Sequence, residues 1–85
     1  MSNKLYAAWS KSAVRTAYRE FVSEISGVSN AILEIEDPAV KTEAKLLLKS
    51  AMEQLLAKCK ADGRDPPPRF LYDIPLESVG VPMPT

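Results

Sequence analysis

Histidine is missing from this chain, and cysteine occurs once, at Cys59. The first absence removes the commonest general base and the commonest metal ligand. The second excludes an intrachain disulfide and points to a reducing compartment. Glycine occurs three times, never in a phosphate-cradling pattern. Charge of one sign is not in excess, since 11 Lys and Arg balance 11 Asp and Glu. Nothing global therefore draws the chain to nucleic acid or to an anionic membrane. No apolar run approaches the roughly 18 residues of a membrane span, so membrane insertion is not expected. The opening MSNKLYAAWSKS has no continuous apolar stretch, so a secretory leader is not expected either. Residues 1–19 carry Lys4, Lys11, Arg15 and Arg19 and no acid, an echo of a transit peptide, but Arg15 and Arg19 fall inside a helical pattern. The expected location is intracellular, cytoplasmic first and mitochondrial second.

Proline is scarce before Gly63 and abundant after it. Only Pro38 precedes that glycine, and six of the seven prolines follow. The change divides the chain into a helical domain, residues 1–63, and a proline-rich C-terminal arm, residues 64–85. At 46% hydrophobic and 26% charged, the composition is that of a folded chain at the small end of what folds alone.

Within the helical part, Val14, Tyr18, Phe21, Ile25 and Val28 recur at spacings of three and four, the seam of a helix packed on another. Trp9 and Ala13 extend a neighbouring stripe, and Gly27 suits a left-handed residue just past the end. This predicts a helix over residues 5–26. Residues 28–37 read as a connector holding one or two helical turns. Asp37-Pro38 then marks a start: an aspartate N-cap accepts the free first-turn N–H groups, and proline at the first helical position wastes none. The helix runs to Asp62-Gly63, with Ala44, Leu47, Leu48, Ala51, Met52, Leu55, Leu56 and Cys59 on a broad apolar face, Lys41, Lys45, Lys49, Glu53 and Lys60 on the other, and Lys58 and Lys60 in the last turn, where cations suit the dipole. Two helices of about 22–25 residues, each roughly 33–38 Å long, predict an all-α fold built on an antiparallel helical hairpin.

Few residues offer chemistry. Cys59 lies near the negative end of a helix on its apolar face, which disfavours a thiolate and favours a buried structural role. Glu34, Glu36 and Asp37 read as a cap with solvated neighbours. No enzymatic activity, cofactor or metal is expected. The arm is the most specific interaction candidate. Its three consecutive prolines favour a polyproline helix. Phe70, Tyr72, Ile74 and Leu76 then alternate, which on an extended backbone places them on one face. Tyr6, Trp9, Phe70, Leu71, Tyr72, Ile74 and Leu76 are accordingly the expected partner-binding residues. The run Thr16 to Ser26, TAYREFVSEIS, followed by a helix opened by Asp37-Pro38, resembles the small helical LYR-type mitochondrial accessory proteins over roughly half the chain. The Leu-Tyr-Arg triad of that family is replaced here by Leu5-Tyr6-Ala7, so no residue's role is carried over.

The function expected from these features is protein–protein interaction: an accessory subunit, adaptor or inhibitor of a larger protein, partnered by another protein, a second copy, or both. The alternative is a small nucleic-acid-binding regulator. Lys11, Arg15 and Arg19 repeat at i, i+4, i+8, and Lys41, Lys45 and Lys49 do the same, so each stripe could follow a phosphate backbone. Glu20, Glu24, Glu43 and Glu53 interrupt or flank both.

Overall fold

Helix α3, Pro38–Ala61, is built as its sequence dictates. The Asp37 carboxylate accepts from the Ala39 N–H at 2.9 Å and the Val40 N–H at 3.4 Å, with Pro38 at the first position. Its far end closes with Gly63 at φ 66°. The Arg64 N–H reaches the Cys59 carbonyl at 2.8 Å and the Gly63 N–H reaches that of Lys60 at 3.2 Å. This pair of bonds is the Schellman closure, which satisfies the last carbonyls of the helix.

The computed structural model describes residues 4–11 and 13–81 and is all-α, with no strand among those residues. Before α3 come α1, Lys4–Trp9, and α2, Val14–Leu33; after it come a 3₁₀ turn, Arg69–Leu71, and α4, Asp73–Ser78.

The helix expected over residues 5–26 is broken at its start and prolonged at its end. The break has a physical reason in Trp9. In one continuous helix, Trp9 and Tyr18 would lie about 180° apart around the axis. The turn after α1 instead stacks their rings at 5.3 Å. Gly27 does not stop α2, since its φ is not positive and the apolar spacing runs past it to the buried Ile32. A glycine costs a helix about 1 kcal/mol relative to alanine, less than burying an isoleucine returns. The buried seam is Ala17, Phe21, Ile25 and Ile32, while Val14, placed in the seam by spacing, is 70% exposed.

The arm differs most from expectation. Residues 66–68 form no helix, and Pro68 has polyproline-like angles, φ −58° and ψ 143°. Beyond them the chain coils instead of extending. Tyr72, Leu76 and Val79 are buried at helical spacings of four and three, in place of a period of two. Pro75 stands at the third position of α4, where its missing N–H breaks no intrahelical bond. Gly80, at φ 72°, repeats the Schellman closure, with the Val81 N–H on the Leu76 carbonyl at 2.9 Å. The 3₁₀ turn and α4 pack on α2, and α1 packs on both α2 and α3. Leu71, Tyr72, Leu76, Val79 and Val81 thus enter the same core as Phe21, Ile25, Met52 and Leu55. Residues 82–85 of the expected arm lie outside the described part.

Candidate interaction surfaces

Five of the aromatic residues form one chain of ring contacts. Phe70 meets Tyr18 edge-on at 6.5 Å, Tyr18 stacks on Trp9, Trp9 meets Phe21 at 6.0 Å, and Phe21 meets Tyr72 at 6.4 Å. The Trp9 indole N–H donates to the Asp65 backbone carbonyl at 2.9 Å, tying α1 to the segment that leaves α3. This network decides the fate of the seven residues expected to hold a partner. Trp9, Leu71, Tyr72 and Leu76 are buried in the chain's own core. Tyr6 is half-buried; its hydroxyl donates to the Asp62 carboxylate and the Lys58 ammonium lies 5.9 Å from its ring centre. Only Phe70, 66% exposed, and Ile74, 74% exposed, face outward as large apolar groups.

There are two further apolar surfaces. One is a groove of about 440 Å³ at the junction of α1, α2 and the proline segment, lined by Trp9, Val14, Tyr18, Pro66 and Pro68 together with the charged Lys11, Arg64 and Asp65. The other is the first half of α3. Residues 38–47 place no side chain fully in the core, and burial begins at Leu48. Yet this stretch carries Val40, 50% exposed, Leu46, 61%, and Leu47, 66%, so Leu47 stands outside the apolar face where spacing puts it, while Lys41, Lys45 and Lys49, expected on the outer face, are half-buried. Leu33, at the end of α2, is also exposed.

The basic residues do not form two open stripes. Lys11, Arg15 and Arg19 are exposed, but the Lys11 ammonium lies 3.9 Å from the Glu20 carboxylate. The groove between α1 and α2, about 540 Å³, mixes Lys4, Lys11 and Arg19 with Glu20 and Glu24. Lys41, Lys45 and Lys49 are half-buried, with the Lys45 ammonium close against Gly80 of the tail.

At the end of α3, two titratable groups share a hydrogen bond. Tyr6 donating to Asp62 holds that carboxyl below its ordinary value, with Lys58 at 3.5 Å adding to the effect, and the Tyr6 phenol moves up for the same reason. An acid at the negative end of a helix is disfavoured, and these two donors offset that. Cys59 is fully buried and desolvation pushes its thiol up, which leaves it protonated and unreactive at neutral pH. Among the described residues, no three Cys, Asp or Glu side chains gather into a group that would hold a metal ion, and no helix is long and apolar enough to cross a membrane. Compared with known proteins, the chain matches no family model, no curated protein and no solved structure.

Proposed function

We propose that this chain is a non-enzymatic protein–protein interaction module, an accessory subunit, adaptor or inhibitor that works by burying apolar helix surface against a larger protein. The observation that carries this reading is the first half of α3: Val40, Leu46 and Leu47 stand exposed on a well-capped helix, in a stretch where Ala44 alone packs against the core and only in part. Exposed apolar residues are ordinary when scattered and informative when they cluster on one element. A rigid helix presents such anchors at little entropic cost. Phe70 and Ile74 add a second apolar site on the tail.

The hairpin belongs to the same proposal. α2 has 20 residues and α3 has 24, so they are about 30 and 36 Å long. Only residues 34–37 join them, and the whole chain measures 38 × 23 × 22 Å. Those dimensions support two helices folded back on each other, with the exposed half of α3 at the connected end. Nucleic-acid binding has weaker support, because three of its six expected contacts are half-buried and a fourth is paired.

The test is a photo-crosslinking amino acid at Leu47, introduced into the full chain in the cells that make it, with the same group at Glu77 as control. The expected result is an adduct of discrete mass at Leu47 and none at Glu77. An adduct of twice the chain's mass identifies a second copy, and any other mass a different protein. No adduct above the control would contradict the proposal.

A further inference from the structure

We infer that the groove between Trp9, Tyr18 and the proline segment is a docking site for an acidic peptide segment bearing one bulky apolar residue. This deepens the reading of the chain as an interaction module, but on a surface separate from α3. The lining is apolar and concave: Val14, Tyr18, Pro66 and Pro68 over the buried face of Trp9. Val14 is among the most exposed apolar side chains, and Phe70, in edge contact with Tyr18, extends the same lining outward. Proline and aromatic walls lose little freedom when they are covered, so the site is preorganised. The floor is fixed as well, since the Trp9 N–H is already held by the Asp65 carbonyl and the indole is stacked on Tyr18.

The charge around this site selects the occupant. The chain is neutral as a whole but not along its length. Tyr6–Asp62 and Trp9–Asp65 bonds bring the end of α3 beside α1 and the start of α2. That end gathers Lys4, Lys11, Arg15, Arg19, Lys58, Lys60, Arg64 and Arg69 against Glu20, Glu24, Asp62 and Asp65. Two of those acids are engaged, Glu20 beside Lys11 and Asp62 with Tyr6 and Lys58. The opposite end, around the α2–α3 connection, holds Glu34, Glu36, Asp37 and Glu43 with Lys41 and Lys45 among them. The charged members of the groove lining are Lys11 and Arg64 against Asp65, and in an end where bases outnumber acids they attract carboxylates and repel basic segments. Guanidinium beside carboxylate also adds directed, charge-assisted hydrogen bonds at the rim. A single apolar side chain entering between Val14, Tyr18 and Phe70 supplies the anchor, and acidic neighbours supply orientation.

The experiment selects from a displayed random dodecapeptide library on the immobilised full chain, then titrates the selected peptides while following the emission of Trp9, the only tryptophan. The expected peptides are enriched in Asp and Glu around one Phe, Leu or Trp, and their binding shifts Trp9 emission and weakens as salt is raised. Lys11→Glu with Arg64→Glu should lower their affinity about tenfold at low salt, two rim ion pairs' worth. The double variant touches only exposed side chains, and unchanged thermal melting shows that it still folds. Neutral or basic winners, no winners, or acidic winners that leave Trp9 unmoved overturn the inference. Should that happen while the Leu47 crosslink succeeds, the module reading stands and the groove alone is excluded. Failure of both excludes both.

Discussion

The two halves of α3 share one helix and differ in what lies against them. From Leu48 onward, Leu48, Met52, Leu55 and Cys59 are buried. Before it, Val40, Leu46 and Leu47 are exposed. Leucine occurs in both halves, and each end is stopped by its own local chemistry, the Asp37 cap and the Gly63 closure. Helix formation is therefore a local matter along the full length. Burial is not: the second half is covered because α1 packs against α3 and tail residues complete the core, reached through contacts 56 residues apart in sequence. A helix continuous across a closed and an open region presents apolar groups rigidly at the open end, and this is the basis of the proposed function.

The largest effect that would break this contrast is truncation. Leu55→Ala should cost about 2–5 kcal/mol, as for a fully buried leucine. Leu47→Ala in the purified chain should stay within about 0.5 kcal/mol, as for a surface site. Urea unfolding of both variants measures the difference, and equal losses would show that the first half is also core.

Next in size is Asp37→Ala, expected to cost about 0.5–2 kcal/mol through loss of the N-cap bonds. Its signature should be local, with fraying of residues 38–41 seen by NMR chemical shifts while residues 48–61 keep theirs.

The legibility of the sequence follows the same line. Asp37-Pro38 and Asp62-Gly63 could be read because each signal lies within one turn of the backbone groups it serves. Gly27 carries the same stop signal, but Ile32 lies beyond it and its burial depends on distant neighbours. In the tail, Gly80 repeats the closing signal of α3, whereas α4 opens with Tyr72 in the cap position and no side-chain cap bond, so its start carries no such mark. Phe70, Tyr72, Ile74 and Leu76 fit a period of two, whereas Tyr72, Leu76 and Val79 fit a helix, and four alternating residues cannot choose between them. Trp9, placed by the sequence among the partner-binding residues, is instead buried in the chain's own core, and its acceptor, the Asp65 carbonyl, belongs to the backbone and leaves no mark on residue spacing.

A smaller change should go the other way. Gly27→Ala should stabilise the chain by about 0.5–1 kcal/mol, because the residue sits inside α2 with nothing within 4 Å of an added Cβ. A rise in melting temperature checks this, and a fall would mean that α2 bends or opens at that point.

The smallest effect concerns the closed end. Asp62 is held below its ordinary 3.8 by the Tyr6 hydrogen bond, so this link is fully present above that value and is lost as pH falls through the lowered one. Tyr6→Phe should return the Asp62 carboxyl toward 3.8 in a carbon-13 NMR titration. An unchanged titration would remove the link between α1 and the end of α3.

The difference between the two halves is tested most directly by native-state amide hydrogen exchange along α3. Residues 48–61 should exchange only through global unfolding, with protection that tracks denaturant as the whole chain does. Residues 42–47 should exchange through smaller local openings and show lower protection. Equal protection across both halves, with the same denaturant dependence, would contradict a helix that is core at one end and open docking surface at the other.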